Sequence, residues 1–244
     1  MTGVRQCLAV AVAAGAVLTV QPAAAAAQAD CPPYDKPIRI SFKTLNPDPT
    51  YNNTLNVMSL RDFLRTRGHV FSGQHQKTLG VTSYRTAFSL AGRTVAMPAA
   101  HGFCVYLSEV TAEFGYRDHD VFVASEFRPG SCEYKAILDH ENQHVAINRA
   151  AIRDGGPRVR QELERLLQTA PPRFTRAPQS GTEGALSDIY ARLNKTVDAI
   201  AAGQGAKNAA IDNDGNYDAI GDLCGDWDKG NVWPSAPPAT RSRR

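Results

Sequence analysis

Apolar and polar positions fall into blocks along this chain, and the blocks predict strands first and helices afterwards. The first apolar run, Leu8 to Val20, follows a lone charge at Arg5 and precedes the small-residue signature Ala27-Gln28-Ala29. That layout predicts a secretory signal peptide over residues 1–29, with an apolar stretch too short for a comfortable bilayer span. Ile38-Arg39-Ile40-Ser41-Phe42 alternates with period two, as a half-buried strand does, within a segment rich in Pro, Asn and Asp. Leu55 to Arg67 carries Leu55, Met58, Phe63 and Leu64 at helical spacing and stops at Gly68. Thr82 to Ala96 mixes alternation with Gly92 and predicts a hairpin. Phe103 to Phe114 and Asp120 to Phe127 are rich in Val, Phe, Tyr and Thr; between them Gly115 to His119 predicts the turn of an antiparallel pair.

Helical patterns take over from there. Pro129-Gly130-Ser131 is a breaker followed by an N-cap residue, and Cys132 to Asp154 reads as one helix that Gly155-Gly156-Pro157 should end. Its apolar contacts are Ala136, Ile137, Val145, Ile147, Ala150 and Ala151. A second helix is expected from Val159 to Thr169, then a Pro-rich linker from Ala170 to Gly181. A third, Glu183 to Ala202, keeps Leu186, Ile189, Tyr190, Leu193, Val197 and Ile200 on one side. This order predicts an α+β fold in which an antiparallel sheet is followed by a chemistry-bearing helix and further packed helices. One domain is expected over residues 30–232, with a Pro/Arg-rich flexible tail at 233–244. No internal repeat interrupts it.

Cysteine and charge narrow the setting. Loss of the leader would remove Cys7 and leave Cys31, Cys104, Cys132 and Cys224. An even count in an exported chain favours two disulfides, with three pairings open. No Cys-x-x-Cys pair supports a cysteine-based zinc site, and Asp30 fits poorly with lipidation at Cys31. A periplasmic or secreted protein without a transmembrane segment is expected. The formal charge of +3 falls only to +2 when Arg5 is lost, so there is no basic field for nucleic acid.

One segment names a chemistry. His140-Glu141-Asn142-Gln143-His144 reads H-E-x-x-H, and on a helix the two imidazoles lie one turn apart on one face. Two such histidines can hold Zn²⁺ at about 2.0–2.1 Å each. Glu141 emerges about 100° round the helix from His140, placed to act as a base towards a metal-bound water rather than as a ligand. The plain alternative is a half-exposed polar stripe with two histidines in it by accident.

A catalytic zinc site takes three protein ligands and keeps one position open. Two acidic residues of the second helix, Glu162 and Glu164, are candidates for the third, although beside Arg160 and Arg165 they also read as solvated charges. The stretch Asp212-Asn213-Asp214-Gly215-Asn216-Tyr217-Asp218 offers Asp214 as a ligand and Tyr217, one turn on, as a donor to a developing oxyanion. The same stretch has the first three EF-hand ligand positions but places Tyr217 where Gly is required and Leu223 where Glu is required, so a polar helix end is its simpler reading. His69, His75, His101 and His119 are weaker candidates, His119 being expected on an exposed hairpin tip.

The H-E-x-x-H helix with a downstream Asp-x-x-Tyr at Asp214 and Tyr217 partly resembles the aspzincin metallopeptidases, without their flanking Gly-Thr and Gly. The wider layout resembles a family of exported bacterial proteins regarded as zinc-dependent proteases. It shares with them a strand region (Val105 to Phe127), the motif helix (His140 to His144), a segment from Ile211-Asp212 to Tyr217, and Trp227. That family often carries His near the place of Tyr217. The resemblance implies a zincin-like domain and an exported zinc metallopeptidase acting on a protein or peptide substrate. In that reading Glu141 and Tyr217 are catalytic, and His140, His144 and Asp214 hold Zn²⁺. Two rivals stand beside it: a zinc amidase acting on cell-wall peptide, and a non-catalytic, disulfide-stapled interaction module with a structural or vestigial metal site.

Overall fold

The computed structural model describes residues 31–67 and 78–225. The expected leader at 1–29, the tail at 233–244, and Gly68, His69, His75 and Trp227 lie outside those residues. The described chain is mixed α/β, with one five-stranded sheet and four helices.

The sheet is built on one long hairpin. Strand β3 runs from Gly80 to Ala99 and β4 from Gly102 to Val123, paired antiparallel along their whole length. The turn expected at Gly115 to His119 is therefore absent, and so is the smaller hairpin expected at Thr82 to Ala96. The chain reverses once, around Ala100-His101. Gly115 has another purpose. Its φ is +142°, and a Cβ there would lie 1.9 Å from the Leu45 carbonyl oxygen, so glycine permits a close backbone approach. The pairing slips by one residue just beyond it, between Arg85 and Thr86, which leaves Arg117 without a partner across the pair. A bulge and a turn share the same residue types.

β1 (Arg39–Leu45) and β2 (Thr50–Asn52) pair with the other edge of β4 in parallel, and β5 (Arg173–Thr175) pairs with it antiparallel. The sheet is thus mixed, where an antiparallel one was expected. β4 is its spine. One face of β4 presents Val110, Ala112, Phe114 and Val121 to the helices. The middle of the opposite face carries cross-strand ion pairs, Arg39–Glu109, Lys43–Glu113 and Arg85–Asp118, between Tyr106, which stacks on Tyr34, and Phe122, which packs against Phe63.

Helix α1 (Val57–Thr66) starts two residues later than expected, because the Asn56 side chain caps it by accepting a hydrogen bond from the Ser59 amide at 2.8 Å. It buries Val57 and Leu60 against Val81 and Ala124. Helix α2 begins at Cys132, capped by Ser131, and continues to Gln168 straight through Pro157. The expected break at Gly155-Gly156-Pro157 does not occur, and the second helix is the distal half of the first. Proline at that position cannot donate to the Arg153 carbonyl. The two glycines before it let neighbours approach: a Cβ at Gly155 would meet Ile200 at 2.9 Å, and one at Gly156 would meet Thr44 at 3.0 Å. Packing holds the helix together where local propensity would end it.

Helix α3 spans Pro178–Ile211, so the expected linker shrinks to a few residues around β5. It lies against α2 with Ile189, Leu193 and Ile200 buried among Ile152, Val159, Leu163, Leu166 and Leu167. A short helix α4 (Asp214–Asp222) follows a one-turn corner. Two disulfides form, as the even cysteine count suggested, in one of the three possible pairings. Cys31–Cys104 ties the N-terminal segment to β4, and Cys132–Cys224 ties the start of α2 to the residues after α4. Among the described residues no helix is long and apolar enough to cross a membrane.

Candidate metal centre

The buried stripe of α2 explains where its chemistry points. Ile137, Glu141, His144, Asn148, Ile152, Gly155, Val159, Leu163 and Leu166 recur every three or four residues and are all buried. Glu141, His144 and Asn148 thus hold positions that a core-facing helix usually fills with apolar side chains. A buried polar group has to find partners, and each of these does.

The two imidazoles turn towards each other, with His140 Nε2 and His144 Nε2 3.3 Å apart. A single oxygen, Asp212 Oδ1, lies 3.2 Å from the first and 3.0 Å from the second. Asp212 is the C-terminal cap residue of α3, so the negative end of that helix faces the same point. The Tyr217 hydroxyl donates to the same oxygen at 2.9 Å, and its ring centroid is 5.4 Å from that of His140. The histidines are buried, at 6 and 9% exposure, whereas the Asp212 side chain is 40% exposed. The cluster is closed below and open on the Asp212 and Tyr217 side.

These donors fit a small divalent cation. Ligands at about 2.0–2.1 Å from one ion in a tetrahedral site lie about 3.3–3.4 Å from one another. Three ligand atoms separated by 3.0, 3.2 and 3.3 Å outline one face of such a site with little rearrangement. Two imidazoles and one carboxylate, with a fourth direction open, is the donor set of a catalytic rather than a closed zinc site.

The carboxylate that meets the two imidazoles, and that could serve as a third donor, is Asp212, two residues before the Asp214 favoured from sequence. Asp214 begins α4, and its side chain lies outside the described residues. Glu162 and Glu164 are excluded by the unbroken helix. At 1.5 Å per residue they stand about 27–30 Å along α2 from His144. They pair instead with Arg165 and Arg160 on the surface. His101 occupies the β3–β4 turn, exposed. His119, expected on an exposed tip, is only 1% exposed because the strand does not turn there.

Glu141 reaches the start of β3. Its Oε2 accepts a hydrogen bond from the Thr82 hydroxyl at 2.8 Å. A Cβ on Gly80 would come within 2.7 Å of Oε1, so glycine there leaves room for the carboxyl group. Burial raises the Glu141 pKa, against the opposing pull of Thr82 and of the histidines. Burial alone would lower the His144 pKa, but hydrogen bonds to Asp212 and Asn208 and the charge of Glu141 carry it upwards. Asp212 behaves inversely: burial pushes its pKa up, and the bonds from His140, His144 and Tyr217 outweigh that and hold it low. Burial and the adjacent Asp212 both raise the Tyr217 pKa, so the phenol keeps its proton at neutral pH.

The supporting residues Thr82, Asn148, Gln204 and Asn208 had no place in the sequence reading. A signal for them existed. His140, His144 and Asn148 recur every four residues on α2, and Gln204, Asn208 and Asp212 recur every four residues on α3. Two polar stripes of the same period, each set in a helix with an apolar face, are a pairing signature once both helices are known to run antiparallel.

No family model, curated protein or solved structure matches this chain.

Proposed function

We propose that this chain is an exported, zincin-like metallohydrolase that cleaves peptide bonds, with Zn²⁺ held by His140, His144 and Asp212. The observation that carries this reading is the convergence of three ligand atoms within 3.3 Å of one another beside a buried carboxyl group. A divalent ion there would supply Lewis acidity and make a water acidic enough to ionise near neutral pH. Glu141, its affinity for protons raised by burial, suits the transfer of a proton from that water to a leaving amine. Tyr217 keeps its proton and lies on the open side, where its hydroxyl can donate to a developing oxyanion. The two disulfides fit an oxidising compartment.

An extended substrate would pair with the sheet. β4 is covered on both edges, while β3 pairs with β4 alone among the described strands, and its first residues touch Glu141. The outer edge of β3 is the strand to which a peptide would add.

One observation favours a second reading, a metal site that only braces the fold: Glu141 is 5% exposed and already engaged by Thr82. The variant Glu141→Gln separates the two. The peptidase reading expects this variant to keep stoichiometric zinc and lose hydrolysis of an unstructured protein substrate by at least a hundredfold. Equal turnover in variant and wild type would remove Glu141 from the chemistry, and no turnover in either with zinc bound would leave the bracing role.

A further inference from the structure

A buried chain of side-chain amides leads away from His144 into the protein, and its direction can be worked out bond by bond. His144 Nδ1 lies 3.0 Å from Asn208 Oδ1. Asn208 Nδ2 donates to Asn148 Oδ1 at 2.9 Å, and Gln204 Nε2 donates to the same oxygen at 2.7 Å. Asn148 Nδ2 in turn lies 3.4 Å from His119 Nε2. Asn148 and His119 are each 1% exposed and Gln204 is 6% exposed, while Asn208, nearest the site, is half-buried. Burial and the nearby Arg149 lower the His119 pKa, and its Nδ1 has no hydrogen-bond partner among the described residues.

The orientation of each amide constrains the next. Two amide nitrogens from α3, those of Gln204 and Asn208, converge on the oxygen of Asn148. The nitrogen of Asn148 is thereby turned to His119, whose Nε2 accepts from it. With its nitrogen committed to Asn148, Asn208 can present only its oxygen to His144. An oxygen there selects the imidazole that carries its proton on Nδ1, and the Nε2 lone pair is left aimed at Asp212 Oδ1 and His140 Nε2.

We propose that Asn208, locked in place by Asn148, is a positioning residue that fixes His144 in its metal-binding orientation and tautomer. The inference rests on the metal-centre reading and extends it to residues on the opposite helix. Asn208 need not touch substrate or ion. It acts through the ring it holds, and loss of such a partner typically weakens metal affinity 10–100-fold.

The test is a zinc titration against a competing chelator, on the full chain with both disulfides intact, for wild type and three variants. Asn208→Leu should bind zinc 10–100-fold more weakly. Asn208→Asp, which keeps an acceptor opposite Nδ1 but loses the donor to Asn148, should bind within about threefold of wild type while melting at a lower temperature. Gln204→Met removes a bond from the same Asn148 oxygen without touching His144. It should lower the melting temperature and leave the zinc constant unchanged, a split that a merely structural network would not give. If Asn208→Leu binds as tightly as wild type, or Gln204→Met loses as much affinity, the positioning role is overturned and the metal centre stands. Wild type that takes up no zinc overturns both.

Discussion

Helices α2 and α3 meet along one antiparallel seam that has two unlike halves. In the half beyond Ile152, Val159, Leu163, Leu166 and Leu167 pack against Ile189, Leu193 and Ile200 in one apolar cluster. In the half before it, His140, His144 and Asn148 face Asp212, Asn208 and Gln204 through hydrogen bonds. Backbone geometry is the same throughout, and the stripe on α2 continues without a break in register. Only the residue types change. Apolar burial stabilises at about 25 cal/mol per Å² whatever its partner, whereas a buried polar group gains only about 0.5–1.5 kcal/mol net per hydrogen bond, and only with a particular partner. A helix that gives up three core positions to Glu141, His144 and Asn148 forgoes stability there, so the polar half is where a function other than folding should be sought.

The sharpest way to break this comparison is to remove the ligands. The double variant His140→Ala, His144→Ala should lose all stoichiometric zinc, read by elemental analysis of the purified protein. Its metal-free form should melt below the wild-type metal-free form by a modest margin only, since the partners left at Asp212 and Asn208 are within reach of water. A large loss of stability in the absence of metal would mean that the polar half folds the protein as much as the apolar half does.

The next largest effect concerns what holds the polar half closed. α4 carries Tyr217 to the site, and the Cys132–Cys224 disulfide fastens the residues after α4 to the first turn of α2. With a sequence separation of 92, this cross-link is worth about 4–5 kcal/mol in the chain-entropy picture. Cys132→Ser, Cys224→Ser should lower the denaturant midpoint accordingly and also weaken zinc binding, since α4 and the Asp212 corner lose their anchor. Unaltered zinc affinity in that variant would show that the α3 end alone holds Asp212.

Leu163→Ala probes the other half. The side chain is fully buried, and its truncation should cost about 2–5 kcal/mol by urea unfolding. Zinc affinity of the folded molecules should not change, because the cavity lies about 28 Å along α2 from His144. A coupled loss of affinity would contradict the division of the seam into two independent halves.

The same division explains what could be read from sequence. The H-E-x-x-H spacing is local: i and i+4 on one helix decide by themselves that two rings share a face, so His140 and His144 were legible. The N-cap at Ser131 and the parity of the cysteines were legible for the same reason, being short-range or countable. The third donor was not, since its position depends on where α3 ends relative to α2, and Asp212 and Asp214 look alike in a list of acidic residues. Gly115 and Gly155-Gly156-Pro157 misled for a related reason. Glycine marks a turn when the chain needs a positive φ and close packing when a neighbour needs space, and only the neighbour, Leu45 or Ile200, tells which. His119 followed Gly115 into error: with no turn, its side chain goes into the core.

That buried histidine gives the smallest effect and the finest test of the polar half. Burial first, then Arg149, lowers its pKa below the ordinary 6.5, while Asp118 and Asp120 pull the other way. The unfolded chain therefore takes up a proton that the folded chain resists. The stability due to neutral His119 is complete above about pH 6.5 and is lost as pH falls from there through the folded pKa, at no more than about 1.4 kcal/mol per unit. His144 has the opposite sign, its folded pKa being raised, so wild type alone would confuse the two. His119→Gln removes the titration and keeps an acceptor for Asn148. The difference in unfolding free energy between wild type and this variant, measured on metal-free protein at pH 7.5 and 5.5, isolates one residue, because His144 is common to both. Wild type should lose ground to the variant on acidification. Parallel pH profiles would mean that His119 charges as readily in the fold as in water, and the amide chain behind His144 would then have no neutral end to orient it.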